Sequence, residues 1–127
     1  MDTKATILIV DDAESLRYTT RLILQHAGFQ VKEAATGQEA LRLADEDPDV
    51  IILDLHLPDV AGVEVCRILK AAPRTATIPV LHVTAVYPGA EERAESLAAG
   101  ADGYVTRPLD PAQLLATIEA LLARRAA

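Results

Sequence analysis

The 127-residue sequence has no tryptophan, one phenylalanine, three tyrosines and a single cysteine. One cysteine excludes an internal disulfide. With aromatics at 3% and hydrophobic residues at 50%, the core must come from Leu, Ile, Val and Ala, which suits helices layered on a buried sheet. Lysine is scarce too: Lys4, Lys32 and Lys70 are all there are. No apolar run approaches membrane-spanning length and no signal peptide precedes the first apolar stretch, so the expected location is cytoplasmic. A net charge of −7 repels phosphate backbones and argues against direct nucleic-acid binding. The one dibasic pair, Arg124-Arg125, falls at the end of the last predicted helix, where it complements the helix dipole. The length fits one domain with a real core.

What is present alternates. Short apolar runs predict strands over 6–10, 49–53 and 78–83, with an alternating edge strand over 30–34 and a short strand over 103–106. Helical spacing fills the intervals. The first helix follows residue 12, with Leu16, Thr20, Ile23, Leu24 and Ala27 on its packing face and Gly28 as its stop. Others are predicted over 36–47 (Thr36 as cap), 62–72, 89–100 and 111–125. Five strand–helix repeats with right-handed crossovers predict an α/β three-layer sandwich around a parallel sheet. In such sheets ligands bind beyond the carboxyl ends of the strands.

Reading only those ends gives Asp11 and Asp12 after the first strand, Asp54 after the third, and Thr84 after the fourth. After the fifth come Thr106, Arg107 and Pro108. Three carboxylates on one sheet end repel one another, and a divalent cation relieves that repulsion. Hard oxygen ligands with few dedicated positions favour Mg²⁺, which keeps waters and completes its shell with phosphate oxygens. A hydroxyl (Thr84) and a cation (Arg107) then suit a phosphoryl group. Asp54 ends the central apolar run and is the best placed nucleophile, forming an acyl phosphate. Singly these residues have plainer explanations: Asp12 as a helix cap, Thr84 or Thr106 as turn hydroxyls. Together on one sheet end they are hard to reach by capping.

The stretches "ILIVDDAESLR", "DVIILDLHLPDVAGVEVCRILK", "IPVLHVTA" and "AAGADGYVTRPLD" resemble the receiver domain of two-component response regulators, over essentially the whole chain. The resemblance implies a flavodoxin-like fold with strand order 2-1-3-4-5, and a single receiver domain over 1–127. It implies Asp54 as phosphoacceptor, fed by a histidine kinase or histidine phosphotransfer protein. Asp12 and Asp54 would ligate Mg²⁺ (or Mn²⁺ in its place) directly, Asp11 would help through water, and the His56 main-chain carbonyl would complete the protein ligands. Thr84 would be the switch hydroxyl and Tyr104 the switch aromatic. The fourth helix, fifth strand and fifth helix would form the responding face, read by an output domain or protein that the sequence does not name. Such a domain is no enzyme beyond its own phosphorylation and dephosphorylation. By the same resemblance, His56 and Val86 would occupy the positions that tune phosphoryl lifetime.

One position departs from the family pattern. A lysine is expected before the proline of the fifth loop, and Arg107 stands there. Arginine keeps the charge and can bond a phosphoryl group in a bidentate way, but it is longer and planar. This departure motivates the main alternative, a pseudo-receiver that binds partners with weakened phosphoryl switching. A small-phosphate hydrolase would need an acid or base beside Asp54, and only His56 is near in sequence. Asp54-Leu55-His56 also resembles the start of a cobalamin-binding motif, but Asp59 stands where that motif needs glycine. His82 reads as a core histidine, His26 as a helix-end cation, and Cys66 as a packed thiol.

Overall fold

In the computed structural model, the described residues are 5–84 and 90–126. Val86, one of the lifetime positions, lies outside them. Ten elements alternate: β1 Thr6–Val10, α1 Glu14–His26, β2 Gln30–Ala34, α2 Gly37–Ala44, β3 Val50–Asp54, α3 Gly62–Ala71, β4 Val80–Thr84, α4 Ala90–Ala98, β5 Gly103–Thr106 and α5 Pro111–Ala126. All neighbouring strands are parallel and their order is β2-β1-β3-β4-β5. This is the α/β three-layer, flavodoxin-like arrangement expected from the alternation.

Strand periodicity divides the core. Ile7, Ile9, Ile52, Leu81 and Val83 meet Leu24 of α1 and Leu114, Ile118 and Leu121 of α5. Leu8, Val10, Ile51, Leu53 and Val80 meet Ala40 and Ala44 of α2 and Val65, Cys66 and Leu69 of α3. β3 and β4 are buried along their whole length, which is why β3 reads as an apolar run up to Asp54 and β4 as one interrupted only by His82. β2 is half-exposed, as an edge strand should be.

Several boundaries differ from the sequence expectation. β3 runs one residue further, because Asp54 still pairs in register with Val83. β4 starts at Val80, since Pro79 has no N–H for the ladder and serves only as an acceptor, from Ile51 N–H at 2.9 Å. α2 stops at Ala44, three residues early: Asp47 has φ +58° and Pro48 follows. On α1, Leu16 is 39% exposed, so it is not on the packing face; Thr20 and Leu24 are.

Gly28, the expected stop of α1, and Gly100 after α4 close their helices in the left-handed region, at φ +96° and φ +97°. Behind them Phe29 N–H bonds Leu24 O and Ala101 N–H bonds Ser96 O, each at 3.0 Å. Arg125 does more than complement a dipole: it donates to Pro48 O and to Asp47, each at 3.0 Å. It thereby ties the end of α5 to the turn before β3. No helix among the described residues is long and apolar enough to cross a membrane.

Candidate functional site

The carboxyl ends of β1 and β3 bring three aspartates together. Asp11 follows β1 and continues the ladder, its N–H bonding Ala34 O at 3.0 Å. Asp54 is the last residue of β3. Both are nearly buried, while Asp12 is exposed. One ligand oxygen from each of Asp11, Asp12 and Asp54 lies within 4.8 Å of the others. Asp12 is not a helix cap: the N-cap of α1 is Ala13, with no side-chain cap bond. Three hard, anionic oxygens opening onto solvent through Asp12 fit a Mg²⁺ or Mn²⁺ ion that keeps waters in its shell.

The backbone around the aspartates is held from several sides. Asp11 Oδ1 accepts from Ala13 N–H at 2.9 Å, and Asp54 Oδ1 from His56 N–H at 3.1 Å. Gly62 N–H bonds Leu55 O at 2.9 Å. The start of α3 presses on β3 so closely that a Cβ at Gly62 would lie 2.3 Å from Asp54 O and 2.7 Å from Leu55 Cα. Burial, with the neighbouring Asp11 charge, raises the Asp54 pKa above the ordinary carboxylate value. The His56 N–H and Arg107 act in the opposite sense.

Arg107 enters from β5. Its N–H bonds Thr84 O at 2.9 Å, extending the β4–β5 ladder, and the peptide to Pro108 is cis. Its Nη2 donates to Asp11 Oδ2, and its Nη1 lies 3.9 Å from Asp54 Oδ1. Thr84 ends β4 and is buried. Its register partner is Thr106, and His82 pairs with Tyr104 one step back on the same sheet face. Tyr104 is thus set back from the carboxylates, half-buried, with the Arg93 guanidinium of α4 5.4 Å from its ring centroid. His56 is exposed beside an open cleft that it lines with Asp12, Leu57, Pro58 and Asp59.

Two supports of the site were not read from the sequence. Arg17 of α1 donates from Nη1 to Asp11 O at 2.7 Å and from Nε to Glu33 at 3.2 Å, and Arg21 bonds the other Glu33 oxygen at 2.7 Å. Burial opposes ionisation of Glu33, but these two guanidinium groups hold its carboxyl below the usual range. Asp59 accepts from Gly37 N–H at 2.8 Å and Gln38 N–H at 3.0 Å. It caps α2 alongside Thr36, whose Oγ1 accepts from Glu39 N–H at 3.1 Å. Those backbone bonds hold the Asp59 carboxyl below its ordinary pKa. The local signals were the i, i+4 pair Arg17 and Arg21 and the Pro58-Asp59 turn, neither of which names its partner.

Residues 7–119 match the sequence model of the response regulator receiver domain. The phosphate regulon transcriptional regulatory protein PhoB of Rhizobium meliloti is 42% identical over 120 residues, which are 93% of this chain and 52% of that protein. The chain thus spans about half the length of that curated relative. Among solved structures, a CheY-like response regulator receiver domain protein from Methanospirillum hungatei has a TM-score of 0.87 at 32% identity, with 98% of each chain covered. The receiver domain of the sensor histidine kinase PA1611 from Pseudomonas aeruginosa also has a TM-score of 0.87, at 25% identity, covering 95% of this chain and 99% of that one. That structure has a magnesium ion coordinated in its active-site cleft.

Proposed function

This chain belongs to the response regulator receiver domain family of two-component systems, and from that premise we propose that it is a phosphoacceptor switch whose modified residue is Asp54. A carboxylate oxygen of Asp54 attacks the phosphorus of a phosphohistidine on a histidine kinase or phosphotransfer protein. The new P–O bond forms as the P–N bond breaks, and the imidazole leaves with the electron pair. The observation that carries the reading is the convergence of Asp11, Asp12 and Asp54 within 4.8 Å at one sheet end.

Asp12 and Asp54 would hold Mg²⁺ directly, Asp11 through water, with the His56 main-chain carbonyl as a further ligand. The ion, when bound, neutralises charge that builds on the transferring oxygens. Asp54 must be ionised to attack, so the pKa-raising effect of burial and of Asp11 has to be offset by cations in the pocket. Arg107 clamps a phosphoryl oxygen, and the Thr84 hydroxyl donates a hydrogen bond to another. Tyr104 then turns inward behind Thr84, and the α4–β5–α5 face changes for a partner to read. On this account residues 1–127 form a single receiver domain, acting in the cytoplasm as a switch and not as a turnover enzyme.

The intact carboxylate trio weighs against a pseudo-receiver that only binds partners. The test is transfer of a labelled phosphoryl group from phosphoramidate, a P–N donor, in the presence of Mg²⁺. The label should be lost to hydroxylamine, as expected of an acyl phosphate. A label that resists hydroxylamine, or none at all, contradicts the reading.

A further inference from the structure

Two fully buried side chains away from the acidic pocket have unused hydrogen-bonding groups. Neither ring nitrogen of His82 nor the hydroxyl of Ser96 has a hydrogen-bond partner among the described residues, and both residues are 0% exposed. Burial lowers the His82 pKa and no neighbouring charge acts on it, so at pH 7 the ring is neutral, with one donor and one acceptor nitrogen. Both residues face the same layer. Val80 and His82 share one face of β4, and Val80 packs in the same core cluster as Ala99 at the end of α4. Asp102 N–H bonds Val80 O at 2.8 Å, which fixes the chain after α4 over the start of β4. α4 joins two parallel neighbours and so runs back along β4. Ser96 is three residues before Ala99, on the same helix face. Three helix residues rise about 4.5 Å and two strand residues about 6.6 Å, which sets Ser96 above His82. Donor and acceptor thus stand across one buried layer without meeting.

Unmade hydrogen bonds in a core are costly, so other contacts must hold the two groups apart. The Arg93 guanidinium of α4 lies 5.4 Å from the Tyr104 ring centroid. Ala101 N–H bonds Ser96 O at 3.0 Å, and Asp102 ties the chain after the helix to β4. We propose that α4 has a second seating on the sheet, in which Ser96 Oγ and His82 form a hydrogen bond, and that this bond latches the α4–β5–α5 face in its switched arrangement. The first half needs only the buried pair; the second rests on Asp54 being the phosphoacceptor. In the resting seating, the stacking of Arg93 on Tyr104 opposes the pair. Tyr104 is the register neighbour of His82 on the same sheet face. Withdrawal of its ring from Arg93 frees α4 to settle and the pair to close. The latch then stabilises the switched face from beneath α4, without touching the phosphoryl group.

The experiment compares wild type, Ser96→Ala and His82→Leu. Ring-nitrogen magnetic resonance shifts report whether the acceptor nitrogen of His82 is hydrogen-bonded, and relaxation dispersion of the α4 amides reports a minor seating in the free protein. Beryllofluoride affinity is measured at saturating Mg²⁺, and thermal melts are recorded without it. In free wild type the acceptor nitrogen should be unbonded in the major state, and the α4 amides should exchange. Each variant should lower the minor population about tenfold, the loss of one buried hydrogen bond. Each should bind beryllofluoride about tenfold less tightly. Beryllofluoride should bring the wild-type nitrogen to its hydrogen-bonded shift and leave it unbonded in Ser96→Ala. Ser96→Ala should melt no lower than wild type, because it removes an unpaired hydroxyl from the core. A purely structural role would lower melting temperature and affinity together. A His82 acceptor nitrogen already hydrogen-bonded in the free protein, to a trapped water or to Ser96, overturns the second seating. So does wild-type exchange in both variants. Suppressed exchange with unchanged beryllofluoride affinity supports the seating and overturns its role as a latch. If wild type takes up no beryllofluoride, the phosphoacceptor reading fails and the free protein decides alone. Exchange suppressed in Ser96→Ala then supports the second seating, and exchange that persists, or is missing from wild type, overturns it.

Discussion

Gly62 packs directly against the backbone of Asp54. A Cβ at residue 62 would stand 2.3 Å from the Asp54 carbonyl oxygen, so the position of the proposed nucleophile depends on a side chain that is missing. The obstruction is backbone on both sides and has no flexible end to move. Gly62→Ala should therefore destabilise the fold by about 1–3 kcal/mol, the usual range for overpacking. It should also slow phosphorylation by displacing the β3–α3 loop. Urea unfolding and a single-turnover phosphorylation assay check the two parts, and wild-type behaviour in both would contradict the contact.

His82 is buried on β4, and neither ring nitrogen has a hydrogen-bond partner among the described residues. Burial pushes its pKa down from 6.5 to about 4. The folded state thus binds fewer protons than the unfolded state in that window. Stability is fully present above pH 6.5 and is lost as pH falls toward 4, by a total on the order of 3 kcal/mol from this group. His82→Leu removes the titration and two unpartnered polar atoms. Denaturation midpoints should fall more gently between pH 6.5 and 4 in the variant than in wild type. Parallel curves would show that His82 is not the titrating group.

Tyr104 rests beneath the Arg93 guanidinium, 5.4 Å from ring centroid to cation. The inward rotation proposed for the ring would break that stacking, which is worth only about 0.5–1 kcal/mol at an exposed site. Beryllofluoride with Mg²⁺ should therefore shift the amide signals of Thr84, Tyr104 and α4 together, and Arg93→Ala should bias the free protein toward the activated spectrum. Shifts confined to the loops around Asp54 would mean that the pocket and the α4–β5–α5 face are uncoupled.

The sheet was legible because β1, β3 and β4 are mainly apolar, with His82 the one polar residue inside β4, and an aspartate or threonine ending such a run is conspicuous. Asp11, Asp12, Asp54 and Thr84 stood out on that ground alone. The supports were not legible. Asp59 caps a helix 22 residues earlier in the chain, and Arg17 holds the Asp11 carbonyl from the next element. Each depends on how two elements pack, which local spacing does not encode. Leu16 failed for the same reason: helical periodicity gives a stripe, but the orientation of α1 on the sheet decides which edge of the stripe is covered. The place of Arg107 follows from the β4–β5 register, which aligns Thr84 with Thr106.

The most direct measurement is the intact mass of wild type and Asp54→Asn after incubation with acetyl phosphate and Mg²⁺. The account predicts that wild type gains the mass of a single phosphoryl group, that chelating the metal prevents the gain, and that Asp54→Asn gains none. Equal phosphorylation of the two proteins would contradict it.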